Sequence, residues 1–288
     1  MKVFLDGAWV PEEEAKVPVF DRGFVFGDGV YEVVPVYSRR PFRLGAHLRR
    51  LQRSLGCVAI ENPYSFSRWQ EIVIEAAASS PLADDHAVYI EVTRGKAPRE
   101  HAFPHCSPTV VVFTLPQGKK PPRPARTVTL EDNRWGRCDI KTISLLPNLL
   151  LREEARKREA DEAILIKEGF LTEGTSSSVV VVENGVVLAP PAGPRLLPSV
   201  TQALAFCLLE ESGVKVVRRP ISRQQLFDAQ EVWLLGSVTG IWAVGDMDGQ
   251  KVGGGEPGPL FDKAHALYEA AKEKSEEEIE RHLRHFPG

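Results

Sequence analysis

The chain has 288 residues, of which 43% are hydrophobic and 26% charged, and its formal net charge at pH 7 is −3. This length supports a sizeable core and about two domains, while the small net charge gives no electrostatic footprint for nucleic acid or an anionic membrane. No stretch approaches roughly 18 uninterrupted apolar residues, so no transmembrane helix is expected. The N-terminus turns acidic too early for a signal peptide. The four cysteines are scattered and form no CxxC pair, which argues against a metal site or disulfides and favours the cytoplasm.

The first part of the chain predicts a hairpin, two helices and two strands. VFLDGAWV contains an Asp-Gly hairpin signal, and apolar residues recur at helical spacing in the segments that follow it. Helices are predicted over 44–56 and 65–79, and strands over 87–93 and 109–115. The loop between the two strands, TRGKAPREHAFP, holds Arg94, Arg99 and His101 between a glycine and prolines. Arg94 is interpreted as one half of an ion pair at the end of a strand.

Four prolines among the eleven residues 116–126 predict a linker, because proline fits neither a helix interior nor a central strand. This divides the chain into a smaller N-terminal domain, 1–115, and a larger C-terminal domain, 127–288. The C-terminal domain is predicted to contain strands in RTVTLED, EAILIKEG, SSSVVVVENGVVLAP, VKVVRRPI and EVWLLG, with helices in LLLREEARKREA, in VTQALAFCLLEES and from about Leu260 to His285. Strands and helices mix without strict alternation, which indicates an α+β fold.

Two charged residues stand out in this C-terminal part. Lys141 lies in a strand-like segment in which Ile140 and Thr142 share one face and the lysine occupies the other. A lysine facing solvent is one interpretation, since burying an ammonium is costly; a desolvated amine suited to a Schiff base is the other. Glu173, in GFLTEGTSSSVVVV, is either ordinary turn chemistry or a carboxylate that keeps a heteroaromatic nitrogen protonated.

Two segments offer free amides and hydroxyl groups for a phosphate. Ser199 is the expected N-cap of a helix, so the amides of Val200 and Thr201 point out of its end, although most helix ends bind nothing. A second small-residue turn, LLGSVTG, contains Ser237. By contrast, the glycine-rich turn before Tyr31 lacks both the P-loop and the GxGxxG spacing and gives no support for a nucleotide site.

Six segments, taken in order, resemble the fold-type IV pyridoxal-phosphate enzymes, and most of all the D-amino-acid aminotransferases. The resemblance extends from about Phe4 to Val244, and the six segments that carry it read DRGFVFGDGVYEVV, H-x-x-R-L, VTRGKAPREHAFP, RWGRCDIKTISLL, EAILIKEGFLTEGTSSS and LLPSVT. The resemblance implies pyridoxal 5′-phosphate as cofactor, a two-domain α+β fold with mixed sheets and flanking helices, an active site between the domains, and a homodimer. It also implies that the larger C-terminal domain carries the Schiff-base lysine.

The resemblance implies a role for each candidate residue. Lys141 would carry the internal aldimine and act as acid and base at Cα, and Glu173 would pair with the pyridine nitrogen. The residues that contact the phosphate would be Arg50, Val200, Thr201 and Ser237. The residues that hold the substrate α-carboxylate would be Tyr31, Arg99 and His101, of which the last two would come from the neighbouring subunit.

These roles imply reversible amino transfer between a D-amino acid, such as D-alanine, and a 2-oxo acid, such as 2-oxoglutarate. Two alternatives of the same fold share the lysine and the glutamate: a branched-chain L-amino-acid aminotransferase and an aminodeoxychorismate lyase. The pattern P-R-x-H-x-F-P favours the D-specific enzyme over both. A non-catalytic protein on the same scaffold is a third alternative, against which the intact Lys141 and Glu173 argue.

Overall fold

The computed structural model describes residues 1–117 and 121–285, with side chains up to residue 280. Contacts separate the described residues into two compact units. The N-terminal unit comprises 1–117 and 140–145, and the C-terminal unit comprises 121–139 and 146–285. The predicted linker, 116–126, falls partly on 118–120, which lie outside the described residues, and its last two residues already belong to a strand.

The N-terminal unit is built on an antiparallel sheet with the strand order β2-β1-β6-β5-β3-β4. Its strands are β1 (Lys2–Leu5), β2 (Ala8–Pro11), β3 (Gly29–Tyr37), β4 (Arg40–Pro41), β5 (His86–Thr93) and β6 (Thr109–Pro116). Its helices are a 3₁₀ turn (Glu12–Glu14), α1 (Arg22–Phe26), α2 (Leu44–Cys57) and α3 (Phe66–Ser79). Helices α2 and α3 pack on this sheet. Alternate residues of β3, among them Val30 and Val34, meet the leucines of α2 in the core.

The C-terminal unit holds a mixed sheet with the order β12-β11-β10-β13-β14-β7-β8-β9, and β15 pairs with β14. Its strands are β7 (Ala125–Glu131), β8 (Glu162–Lys167), β9 (Phe170–Gly174), β10 (Ser178–Glu183), β11 (Val186–Ala189), β12 (Val216–Arg218), β13 (Glu231–Gly236), β14 (Gly240–Met247) and β15 (Gln250–Lys251). Its helices are α4 (Leu146–Lys157), α5 (Val200–Glu211), α6 (Arg223–Phe227), α7 (Pro259–Lys272) and α8 (Glu276–His285). Three strand pairs are parallel: β11 with β12, β14 with β7, and β7 with β8.

Most predicted elements are confirmed, and the α+β class with them. Helices α2 and α3 begin and end within one residue of the predicted bounds. The Asn184-Gly185 turn joins the antiparallel strands β10 and β11, and both turn residues have positive φ as a tight hairpin requires. Among the helices of the described residues, none has the length and apolarity needed to cross a membrane.

The single helix predicted from about Leu260 to His285 is wrong, because the chain forms α7 and α8 instead. The break between the two helices lies at Ser275. The Ser275 hydroxyl accepts a hydrogen bond from the Glu278 amide at 3.3 Å, and the Ser275 amide donates to the Glu278 carboxylate at 2.7 Å. This reciprocal pair is a capping box, which starts a new helix at that point.

The segment around Lys141 also differs from its prediction. It forms no strand of its own but a single antiparallel bridge, in which Thr142 pairs with Val30 of β3. The Thr142 hydroxyl and the Ile143 amide both donate to the Gly29 carbonyl, each at 3.1 Å. Because of these bonds, Lys141 belongs to the N-terminal unit, whereas the sequence had assigned it to the C-terminal domain.

Candidate active site

Lys141 lies beside Tyr31 of β3. Its ammonium nitrogen is 4.2 Å from the centre of the Tyr31 ring, and its carbonyl accepts a hydrogen bond from the Tyr31 amide at 2.9 Å. The Lys141 amide donates to the Ser54 hydroxyl at 3.3 Å. The lysine side chain therefore projects from a backbone that is bonded on one side to β3 and on the other to α2.

A buried ion-pair cluster begins at the next residue of β3. The carboxylate of Glu32 is fully buried and accepts hydrogen bonds from Arg50 Nε at 2.6 Å and from Arg50 Nη2 at 2.8 Å. His47 Nδ1 is 2.8 Å from the same carboxylate. Burial alone would raise the pKa of Glu32, but Arg50 and His47 outweigh it and hold this pKa far below its usual range. Arg50, the predicted phosphate ligand, is thus oriented by a carboxylate that stays ionised.

Arg99 and His101 lie side by side against one aromatic ring. The guanidinium carbon of Arg99 is 5.0 Å from the centre of the Phe26 ring, and the His101 ring centre is 5.8 Å from it. Both side chains are exposed in the single chain. Tyr31 contacts Lys141 rather than this pair within the described part of the chain. The structure therefore brings two of the three predicted carboxylate ligands together and keeps Tyr31 with the lysine.

Glu173 lies on β9 in a buried network of opposite charges. Its carboxylate accepts hydrogen bonds from Arg134 Nη1 at 2.5 Å and from the Leu197 amide at 3.1 Å. Arg134 also donates to both oxygens of Asp132, at 2.9 and 2.8 Å. Burial raises the pKa of Glu173, although Arg134 and the Leu197 amide oppose that rise. Glu173 and Asp132 thus share the Arg134 guanidinium.

Helix α5 starts at Val200, and Ser199 is its N-cap as predicted. The Ser199 hydroxyl accepts a hydrogen bond from the Gln202 amide at 3.1 Å. The first amides of a helix have no acceptor inside it, so those of Val200 and Thr201 point out of the helix end, where an anion is stabilised. Thr201 is buried and Val200 half-buried. Helix α5 packs against β13, which leads into the second predicted phosphate turn.

That second turn is compact because it begins and ends with glycine. A Cβ atom on Gly236 would lie 2.9 Å from the Thr239 hydroxyl. Gly240 has a φ of +64°, a backbone conformation that residues other than glycine rarely adopt. The two glycines face each other across the hairpin of β13 and β14. Ser237, half-buried, stands at the start of the turn directly after β13.

The family model for amino-transferase class IV matches residues 29–246. This span contains Lys141, Glu173, the start of α5 and the turn that holds Ser237. The chain belongs to the class IV aminotransferases. A D-alanine aminotransferase from Bacillus licheniformis is 35% identical to this class IV aminotransferase over 264 residues, which cover 90% of this chain and 93% of that relative.

Solved class IV aminotransferases have the same fold. A branched-chain aminotransferase from Thermoproteus uzoniensis, solved with norvaline, is 26% identical with a TM-score of 0.88, covering 99% of this chain and 97% of that one. A hypothetical aminotransferase from Mycobacterium tuberculosis in its PLP-bound form is 26% identical with a TM-score of 0.83, covering 95% and 99%. Class IV aminotransferases use pyridoxal 5′-phosphate, and this is the cofactor of the protein.

The residues of this class IV aminotransferase fit that cofactor. Pyridoxal 5′-phosphate carries a ring nitrogen that must stay protonated and a phosphate that must be held. A cavity of about 680 Å³ in the C-terminal unit is lined by Glu173, Leu197 and Ser199, among others. A buried carboxylate of high proton affinity and the start of α5 therefore border the same space, whose volume is typical of a ligand pocket.

Sequence reasoning missed the partners of the candidate residues. Glu32 and His47 received no role, and neither did Arg134 with its partner Asp132. One signal was available: Glu32 interrupts the apolar strand GVYEVVPVY at a position whose neighbours at even spacing, such as Val30 and Val34, face the core. A carboxylate on such a face needs a cationic partner, and α2 supplies it.

Proposed function

We propose that the protein transfers an amino group reversibly between a D-amino acid, such as D-alanine, and a 2-oxo acid, such as 2-oxoglutarate. The observation that carries this proposal is the pairing of Arg99 and His101 on the Phe26 ring. Both substrates carry a carboxylate beside the reacting carbon. A planar guanidinium binds a carboxylate through two parallel hydrogen bonds, and a neighbouring imidazole adds a third donor. The similarity to D-alanine aminotransferases supports the same substrates.

In this proposal, four residues bind the phosphate of the cofactor and one binds its ring nitrogen. The amides of Val200 and Thr201, the hydroxyl of Ser237 and the guanidinium of Arg50 bind its phosphate. Support comes from the outward amides at the start of α5 and from the Glu32 carboxylate, which orients Arg50. Glu173 accepts the N–H of the pyridine ring. The raised pKa of this buried carboxyl supports that role, because a more basic carboxylate is a stronger hydrogen-bond acceptor.

Lys141 is the proposed catalytic residue. When bound, pyridoxal 5′-phosphate takes up the amino group and withdraws negative charge from the substrate Cα. Lys141 would hold the cofactor through its ε-amine in the resting enzyme, and the same amine would remove the proton from the substrate Cα or deliver it there in the reverse direction. The hydrogen bonds from Tyr31 and to Ser54 support this role, because they hold the backbone still while the side chain moves. Fixing the substrate carboxylate determines which face of Cα meets the lysine.

The proposal includes a homodimer in which Arg99 and His101 serve the neighbouring subunit. Support comes from the surface around them, which is unusually apolar. Phe20, Phe24 and Phe103 expose 58%, 80% and 63% of their surface in the single chain. Phe20 and Phe24 flank the start of α1, and the Phe20 carbonyl accepts a hydrogen bond from Ala97 of the loop that holds Arg99. Exposed aromatic patches of this kind mark protein interfaces.

The test compares D-alanine with L-leucine in single-turnover reactions with the cofactor-loaded enzyme. We expect D-alanine to abolish the visible absorbance of the bound cofactor rapidly, and 2-oxoglutarate to restore it. A response to L-leucine alone would refute the D-specific proposal. If the purified protein binds no cofactor after incubation with pyridoxal 5′-phosphate, the assigned cofactor residues are wrong. Lys141→Ala should bind the cofactor but turn over neither amino acid.

A branched-chain L-amino-acid aminotransferase is the second candidate, and one observation favours it. The solved structure with a TM-score of 0.88 is a branched-chain aminotransferase. That structure is 26% identical to the chain, whereas the D-alanine aminotransferase of B. licheniformis is 35% identical. The same single-turnover comparison separates the two candidates, because they differ in the configuration of the amino acid that reacts.

A further inference from the structure

Asp28, directly before β3, binds two buried arginines. Arg22 Nε donates to Asp28 Oδ2 at 2.8 Å, and Arg94 donates to both carboxylate oxygens at 2.8 and 3.1 Å. The arginines are 4% and 5% exposed. Burial alone would raise the pKa of Asp28, but the hydrogen bonds from Arg94 and Arg22 outweigh it and lower this pKa. The carboxylate therefore stays ionised and holds both guanidinium groups in place.

Arg22 reaches from this ion pair to the loop that carries Arg99 and His101. Its Nη1 donates to the carbonyl oxygen of Glu100, the residue between Arg99 and His101, at 2.6 Å. Its backbone amide donates to the Gly95 carbonyl at 2.9 Å, at the start of the same loop. Arg22 thus ties down the loop at two points with one side chain and one amide.

Phe26, four residues after Arg22 on α1, provides the surface on which the loop side chains rest. Its ring lies 4.7 Å from the guanidinium carbon of Arg22, and the side chains of Arg99 and His101 contact the same ring. Helix α1 is itself anchored, because the buried Asp21 caps its first turn and accepts a hydrogen bond from the Thr109 hydroxyl of β6 at 2.7 Å. The ring is therefore fixed relative to the sheet.

We propose that Arg22 and Phe26 are positioning residues, which set the geometry of Arg99 and His101 for the substrate α-carboxylate. This inference rests on the function proposed above. Exposed arginine and histidine side chains have several rotamers, and binding must restrict them. Contact with Phe26 restricts them in advance, and the hydrogen bond from Arg22 to the Glu100 carbonyl fixes the position of their backbone. Two-point binding of a carboxylate requires this alignment, since a displacement of about 1 Å costs roughly a hundredfold in rate.

The experiment uses two reagents that attack the cofactor, through the same kind of nitrogen, at the carbon proposed to be attached to Lys141. Aminooxyacetate has a carboxylate, and hydroxylamine has none. Their second-order rate constants are measured by absorbance with wild type, Arg22→Gln, Phe26→Leu and Phe26→Tyr. We expect Arg22→Gln and Phe26→Leu to lower the rate constant for aminooxyacetate by about tenfold to a hundredfold. The rate constant for hydroxylamine should not change. Phe26→Tyr keeps the ring and should retain the wild-type rates.

Arg39→Gln is the matched control. Arg39 also pairs with an aspartate and donates to backbone carbonyls, those of Ala78 and Ser80 at the C-terminal end of α3. This segment precedes β5, whereas the loop that carries Arg99 follows β5. Arg39→Gln should change neither rate. For D-alanine, Arg22→Gln should raise KM far more than it lowers kcat, with the cofactor content unchanged.

Equal slowing of both reagents would mean a general structural role and would overturn the inference, as would no change with either. If Arg99→Ala slows the reaction with aminooxyacetate and raises KM for D-alanine, but Arg22→Gln and Phe26→Leu do neither, the inference fails while the proposed function stands. If Arg99→Ala has no effect on either carboxylate compound, the proposed function fails at the same loop. Should Arg22→Gln not fold, Phe26→Leu carries the test alone.

Discussion

Replacing Glu32 with glutamine should lower the free energy of unfolding by about 3–5 kcal/mol at neutral pH. Glu32 is fully buried and meets Arg50 and His47 at 2.6 to 2.8 Å. Glutamine keeps the shape of the side chain but removes its negative charge. Its NH₂ group can also face the N–H groups of Arg50, where no hydrogen bond can form. Arg50, which is 8% exposed, would then lose a buried carboxylate partner. That cost is larger than the loss of an ordinary hydrogen bond.

The pH dependence follows from the direction of the pKa shift. Burial alone would raise the pKa of Glu32, but Arg50 and His47 outweigh it, so this pKa lies lower in the folded than in the unfolded chain. The stabilisation is therefore complete above the unfolded carboxyl pKa, about 4.3, and is lost as the pH falls through the folded pKa. The difference in stability between wild type and Glu32→Gln should stay constant near neutrality and shrink in acid.

Urea unfolding, followed by tryptophan fluorescence between about pH 7 and pH 3.5, measures this difference. The measurement is made without cofactor and again with a fixed excess, because a bound ligand adds its own stabilisation. Glu71→Gln is the control: Glu71 forms an exposed pair with Arg68 at 2.9 Å, so its loss should change stability little. A loss below about 1 kcal/mol for Glu32→Gln at neutral pH, or a difference that grows in acid, would refute the reasoning.

Three further predictions concern the site and one thiol. Arg99→Ala should raise KM for D-alanine by an amount equivalent to about 1.5–3 kcal/mol while cofactor content, measured by absorbance, stays the same; loss of cofactor would contradict the assigned role. Hybrid dimers of Lys141→Ala and Arg99→Ala chains should regain wild-type KM at the one intact site, which steady-state kinetics of the purified hybrid will test; a KM as high as that of the Arg99→Ala homodimer would exclude the trans arrangement. Burial raises the pKa of Cys138 to about 11, so alkylation followed by mass spectrometry should modify the exposed Cys57 first at neutral pH and Cys138 only as the pH rises toward that value.

Elements defined by local patterns could be predicted from the sequence. The leucine spacing of α2, the Asn184-Gly185 hairpin and the Ser199 cap each depend on neighbours in the chain, and each is confirmed. The ion pair expected of Arg94 is confirmed as well, with Asp28 as its partner. The break at Ser275 is equally local, since serine and glutamate three residues apart form a capping box; it was missed because the charged run continues on both sides.

The remaining features depend on residues distant in sequence. No local pattern pairs Glu32 with Arg50, and none reveals that the Arg22 guanidinium ends on the carbonyl of Glu100. The segment around Lys141 was misassigned for the same reason. Its hydrogen bonds to Gly29 and Tyr31 reach more than a hundred positions back along the chain. Its place in the fold therefore follows from tertiary pairing and not from its own short strand-like pattern.

The N-terminal unit is discontinuous in sequence, so the order in which the chain is synthesised affects how this unit folds. The N-terminal unit needs residues 140–145, but the chain builds strand β7 of the other unit before it reaches them. Until Lys141 has emerged from the ribosome, the amide of Tyr31 and the carbonyl of Gly29 lack their final partners. The proposed cofactor lysine is thus among the last pieces of the N-terminal unit to arrive. Premature release of the nascent chain before residue 141 would yield a sheet that is largely complete but lacks the lysine proposed to attach the cofactor.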